Sequence, residues 1–123
     1  MVAVRNLTRQ RTPRFKFATI AEAILGKKYE LSLVLCGNSL SRGLNKKYRD
    51  KDKPANVLSF PLTKTSGEIF IGLAVVVREA KRDHVSIRER VGMLFIHGCC
   101  HLKGLSHGRT MDTIEQALTK RFL

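Results

Sequence analysis

Apolar and polar residues alternate along this chain with two different periods, and the changes of period divide it into nine segments. Residues 2–7 (VAVRNL) alternate with the period of a strand. Across residues 13–28 (PRFKFATIAEAILGKK), Phe17, Ile20, Ala21, Ile24 and Leu25 share one helical face. Pro13 suits the first turn of that helix, and Gly26 stands near its end. Residues 29–36 (YELSLVLC) alternate and then become wholly apolar, as a buried strand does. Asn38 or Ser39 can cap a helix running to about Tyr48 with Leu40 and Leu44 inward, and YRDKDKP is a charged turn.

The second half continues the pattern. ANVLSF is a short strand bracketed by Pro54 and Pro61, which suits a sheet edge or a strand exposed at a cleft. GEIFIGLAVV reads as the next strand and leads into a helix around VVVREAKRDH. SIRERVGMLFIHGCCHLKG is a longer helix, with Ser86 and Glu89 spaced as a capping box and Gly104 as its stop. TMDTIEQALTKRFL is a last short helix with Thr110 or Asp112 near its cap. The order β-α-β-α-β-β-α-α-α predicts an α/β (α+β) fold: one domain over residues 1–123, with a mixed four-stranded sheet packed with helices.

Composition narrows the setting. A length of 123 residues with 43% hydrophobic content suits one modest core. No run approaches the roughly 18 apolar residues of a membrane span. The opening MVAVRNLTRQRTPRFKF lacks the apolar stretch of a secretory signal. Its Arg-rich, acid-free character leaves an organellar address open, but its alternation makes it part of the fold. Three cysteines, Cys36, Cys99 and Cys100, are an odd number with two adjacent, which fits a reducing cytoplasm better than a disulfide framework. Cys36 reads as a small core residue.

Charge adds a partner. Lys and Arg number 23 against 10 Asp and Glu, a net +13. Such an excess gathers polyanions, and it favours nucleic acid over the alternative of a merely solubilising face. Membrane binding is disfavoured, since no basic helix carries a wide apolar face and Trp is absent. Aromatic residues make up only 7% of the chain, so phosphate contact should outweigh base stacking.

Three of the four histidines, His97, His101 and His107, fall within FIHGCCHLKGLSHG. Residues four apart stand one turn apart on one helical face, so His97 and His101 can share a metal ion. Gly104 ends the helix, the chain turns back, and His107 can reach the same ion. Three imidazoles leave a fourth tetrahedral position open, the catalytic arrangement for zinc. A lone histidine on an apolar face is usually a core residue; three around a glycine favour the metal. His84 reads as a surface residue. Cys99 points nearly opposite the histidines, whereas Cys100 lies roughly 60° from His97 and can line the site.

The spacing is also that of metzincin proteases, H-E-x-x-H-x-x-G-x-x-H, but Gly98 occupies the place of their general base. Glycine leaves room beside the metal and supplies no chemistry. The carboxylates closest in sequence are Glu89 and Asp112.

HGCCHLKGLSH resembles the H-G-x-L-H-L-x-G-x-x-H signature of the YbeY family, single-domain zinc-dependent endoribonucleases linked to ribosomal RNA maturation. YRDKDKPANVLSFPL is similar to that family's Y-R-x-K-D-x-P-T-[ND]-V-L-S-F-P segment, and GEIFIG to its G-D-I strand. The resemblance implies one zinc per chain held by His97, His101 and His107. It implies that Arg49 faces the metal across a cleft and stabilises the scissile phosphate, and that Lys51 and Lys53 track the RNA backbone. Without it, a salt bridge from Arg49 to Asp50 or Asp52 would be the simpler expectation. The implied activity is cleavage of single-stranded RNA in ribosome maturation, with ribosomal RNA and small-subunit ribosomal components as partners. The chain departs from the family pattern at Glu68, Cys100, Leu105 and Ser106, where Asp, Leu, Tyr and Asp are usual. The alternatives are a non-catalytic, zinc-containing ribosome assembly factor and, less favoured, a metzincin-like peptidase.

Overall fold

The nine elements form in the expected order. The computed structural model describes residues 1–105 and 108–123. Its elements are β1 (Val2–Asn6), α1 (Phe17–Leu25), β2 (Glu30–Cys36), α2 (Asn38–Arg49), β3 (Val57–Thr63), β4 (Ser66–Gly72), α3 (Leu73–Arg82), α4 (Ile87–Leu102) and α5 (Arg109–Phe122). The strands lie in the order β1-β2-β4-β3. The β1-β2 and β2-β4 pairs are parallel, and β3 is antiparallel to β4. The strand expected at residues 55–60 instead spans Val57–Thr63 and runs through Pro61; it is an edge strand, the place where a proline is tolerated.

Side chains alternate across the sheet. Leu33 and Leu35 of β2 and Ile69 and Ile71 of β4 join one core with Phe17, Ile20 and Ile24 of α1, Leu73 and Val76 of α3, and Val91, Phe95 and Ile96 of α4. Helix α5 closes over α4 through Met111, Ile114 and Leu118. The intervening residues Val34, Cys36 and Leu58 are buried on the opposite face, where α2 lies. Among the described residues, no helix is long and apolar enough to cross a membrane.

Four further boundaries differ from the sequence pattern, three of them for a tertiary reason. Helix α1 begins at Phe17 rather than Pro13 because α4 captures the segment before it. The Arg88 guanidinium donates to the Arg14 carbonyl at 2.9 Å and sits over the Phe15 ring, which packs at Gly92. Helix α2 is capped by Gly37 and turns Ser41 and Asn45 inward, leaving Leu40 exposed. The helix is therefore rotated by one position, about 100°, from the face its leucines predict, and Asn45 uses its burial to donate to the Lys53 carbonyl at 2.9 Å. Helix α5 starts at Arg109 after Gly108, ahead of Thr110 and Asp112.

The fourth is the β4-α3 junction. The strand ends at Gly72, and Leu73, Val76 and Ala80 continue as the buried face of a helix. A Cβ at Gly72 would lie 2.2 Å from the Ala55 carbonyl oxygen and 3.3 Å from the Ser41 hydroxyl. The clash is with backbone, so no rotamer relieves it. Gly72→Ala is expected to lose about 2–3 kcal/mol in urea unfolding. Gly43→Ala, in the exposed middle of α2 with open space around it, is expected to gain about 0.5–1 kcal/mol. Equal midpoints for the two variants would refute this account of the junction.

Candidate metal centre

Helix α4 is built as its sequence suggests. The Ser86 hydroxyl accepts from the Glu89 amide at 3.0 Å, capping the first turn. Val91, Phe95, Ile96 and Cys99 anchor the helix in the core. Lys103 follows the last turn, and Gly104, at φ +95°, makes the left-handed reversal. The Leu105 amide donates to the Cys100 carbonyl at 3.1 Å across this turn.

On that frame His97 and His101 stand one turn apart with ring centroids 4.5 Å apart, and their Nε2 atoms converge to 3.0 Å. Two ligand nitrogens of a tetrahedral zinc, at bond lengths of about 2.0–2.1 Å, would stand about 3.3 Å apart. The pair therefore fits a shared cation with little movement. The other ring nitrogen of His97, Nδ1, meets the Glu115 carboxylate at 2.6 Å. With the proton on Nδ1, His97 donates to Glu115 and turns the Nε2 lone pair toward His101. A carboxylate on one ring nitrogen, with the other turned toward a second imidazole, is the usual support of a metal-binding histidine. Among the described residues no group of three His, Cys, Asp or Glu side chains is assembled for a metal. The third expected ligand, His107, lies outside the described residues, as does Ser106.

Both histidines open into a cleft of about 620 Å³. Tyr48 and Arg49 from the end of α2 form one wall, Asn56 and residues Val57 to Phe60 of β3 the floor, and the histidines the other wall. Arg49 is thus brought to the histidines from the opposite face of the sheet. It makes no salt bridge with Asp50 or Asp52: Asp52 accepts from Arg42 at 2.7 Å, and Asp50 takes the left-handed position that ends α2. The Arg42 guanidinium holds the Asp52 carboxyl below its ordinary value. Lys51 and Lys53 are exposed on the loop between α2 and β3, outside the cleft wall. His84 is exposed, as expected.

Two sequence expectations need correction. The space beside Gly98 does not adjoin the metal position. A Cβ there would come within 3.0 Å of both Ile69 and the Ser59 hydroxyl, and that hydroxyl donates to the Gly98 carbonyl at 3.3 Å. Gly98 is where α4 presses on the sheet. Cys100 does not line the cleft either; it is fully buried, and burial pushes its thiol up to about 11. Cys99 is buried in the core with its thiol pushed up further, and Cys36 is buried as expected.

Glu115 is not legible from proximity along the chain, where the carboxylates closest to the histidines are Glu89 and Asp112. The available signal was an acid beside the apolar stripe of Met111, Ile114 and Leu118, which α5 turns toward α4. A second unforeseen group lies behind the cleft. Asn56 donates to the Glu79 carboxylate at 3.2 and 3.3 Å, and Arg90 donates to the same carboxylate at 3.0 and 3.1 Å. The Asn56 side-chain oxygen accepts from the Val57 amide at 2.7 Å, which fixes the start of β3 against α3 and α4.

The family model described as Endoribonuclease YbeY matches residues 4–121. Curated relatives of that description include one from Colwellia psychrerythraea, 39% identical over 94 residues, covering 71% of this chain and 61% of the relative. One from Aquifex aeolicus is 38% identical over 99 residues, covering 75% and 66%. One from Methylocella silvestris is 32% identical over 126 residues, covering 85% and 72%. The chain thus spans less than two thirds of the length of the first two of these relatives. A solution structure of a Thermotoga maritima protein superposes with a TM-score of 0.66 at 21% identity, covering 98% of this chain and 87% of that one, and shares its fold.

Proposed function

The chain belongs to the YbeY family, and on that premise we propose that it is a zinc-dependent endoribonuclease that cuts single-stranded RNA in ribosomal RNA maturation. One observation carries the reading: a guanidinium, Arg49, and two convergent imidazoles, His97 and His101, face one cleft. His97, His101 and His107 would hold one zinc ion per chain. Bound there, zinc supplies Lewis acidity toward a phosphate oxygen and a water that ionises near neutral pH.

The chain's own residues do the rest. Glu115 fixes the His97 tautomer and ring orientation. Arg49 grips the scissile phosphate by two parallel hydrogen bonds and neutralises the charge that develops on it. Lys51 and Lys53 draw the strand in without reading its bases. Ribosomal RNA and small-subunit ribosomal components are the partners this reading calls for. The free thiols, all buried, fit a reducing cytoplasm.

A second reading, a zinc-containing assembly factor without turnover, is favoured by the absence of any carboxylate from the cleft wall among the described residues. A peptidase is disfavoured because Gly98, at the position of the protease base, is packed against Ser59 and Ile69. Labelled single-stranded RNA and a peptide pool, each incubated with the purified protein, separate the three. The expected result is internal RNA cleavage that a chelator stops and added zinc restores. RNA binding without cleavage above the chelated control supports the assembly factor, and peptide cleavage alone supports the peptidase.

A further inference from the structure

Only eight aromatic residues, six Phe and two Tyr, occur in the chain, and composition alone pointed away from base stacking. Their placement points the other way. Tyr48, Phe60 and Phe70 form a ladder that runs out of the sheet toward the cleft. The Tyr48 and Phe60 rings are 5.1 Å apart at 58°, and Phe60 meets Phe70 at 5.8 Å and 71°. The inner two are half-buried, while Tyr48 is 57% exposed. An exposed ring held against a half-buried one, itself packed on another, is a costly use of apolar surface unless something covers it. Tyr48 also adjoins Arg49 in the chain, and both line the cleft that the histidines face.

We propose that Tyr48, braced by Phe60, is a stacking platform for one nucleobase of a single-stranded substrate, next to the phosphate that Arg49 holds. The proposal rests on the RNA reading above and deepens it. Every base has a π-face, so such a platform binds single strands with little sequence preference, and it rejects duplexes, whose bases are already stacked. Lys47 lies 5.2 Å from the centre of the Tyr48 ring. It is exposed, and it moves aside onto a neighbouring phosphate when a base takes its place. Substrate choice at this end of the cleft is thus made by strandedness rather than by base identity.

The test compares two ligands of equal charge. One is a 2′-O-methyl oligoadenylate of about ten nucleotides, within the usual range of site sizes. The other is an abasic oligomer of the same length. Wild type is expected to bind the base-bearing strand more tightly. Tyr48→Leu should weaken that binding by roughly 5- to 150-fold and leave the abasic oligomer unaffected. Tyr48→Phe, which keeps the π-face, should bind like wild type. Tyrosine emission gives an independent readout, because the other tyrosine, Tyr29, is buried; the oligoadenylate should quench it and the abasic strand should not. Tyr48→Leu binding the base-bearing strand as wild type does, or losing both ligands equally, overturns the stacking site. Wild type that binds neither oligomer overturns the RNA reading itself, and the stacking site with it.

Discussion

His101→Ala is expected to yield a folded protein whose zinc content falls from about one ion per chain to near zero. The histidine lies on the last full turn of α4, where alanine is a good helix former. The anchoring side chains Val91, Phe95 and Ile96 are untouched. What disappears is one of two nitrogens that converge to 3.0 Å. Glu115→Gln makes a graded comparison, because it keeps both nitrogens and weakens only the support of His97. Its metal affinity should fall about 10- to 100-fold. Elemental analysis and competition with a chromophoric chelator read both variants. Equal zinc in wild type and His101→Ala, or near-zero zinc in both, would remove the metal centre from the account.

Arg49→Ala should keep its zinc and lose RNA cleavage by about 10²–10³-fold, the usual cost of removing one donor aimed at developing charge. The two effects separate because Arg49 reaches the cleft from α2, on the other side of the sheet from α4. Arg49→Lys restores the charge without the planar fork, so it should recover only part of the rate. Single-turnover cleavage at saturating protein isolates this step from binding. A rate for Arg49→Ala equal to wild type would leave the guanidinium without a catalytic role.

Much of this architecture is legible because it is local. The two prolines put β3 at the edge, Ser86 and Gly104 delimit α4, and the four-residue spacing brings His97 onto His101. What escapes the sequence is set between elements. Phe15 leaves the helical pattern because Gly92 on α4 has a place for it. Helix α2 shows Ser41 rather than Leu40 to the interior because Gly72 and the Ala55 carbonyl approach too closely for a larger side chain. The partners Glu115 for His97 and Glu79 for Arg90 are 18 and 11 residues distant and meet only through helix packing. The packing at Gly98 is hidden for the same reason: a helical wheel shows which way a position faces, but not what stands there.

The floor of the cleft is also the outer edge of the sheet, and this bears on how the protein behaves in crowded solution. An edge strand offers unpaired amides and carbonyls to any passing strand, and a hydrophobic one invites polymerisation. A cleft floor must nevertheless stay open, so the outer edge of β3 cannot be covered by another element. The chain protects it by other means. Pro61 removes one donor, and the register slips between Pro61 and Thr63 so that a straight partner cannot stay aligned. Tyr48 and Arg49 line the same cleft, Tyr48 with its ring against Phe60 of β3. An extended protein segment seeking to add itself to the sheet meets a bulky ring, a fixed positive charge and an interrupted ladder. The features that leave the edge open to one kind of polymer thus defend it against another, its own kind included.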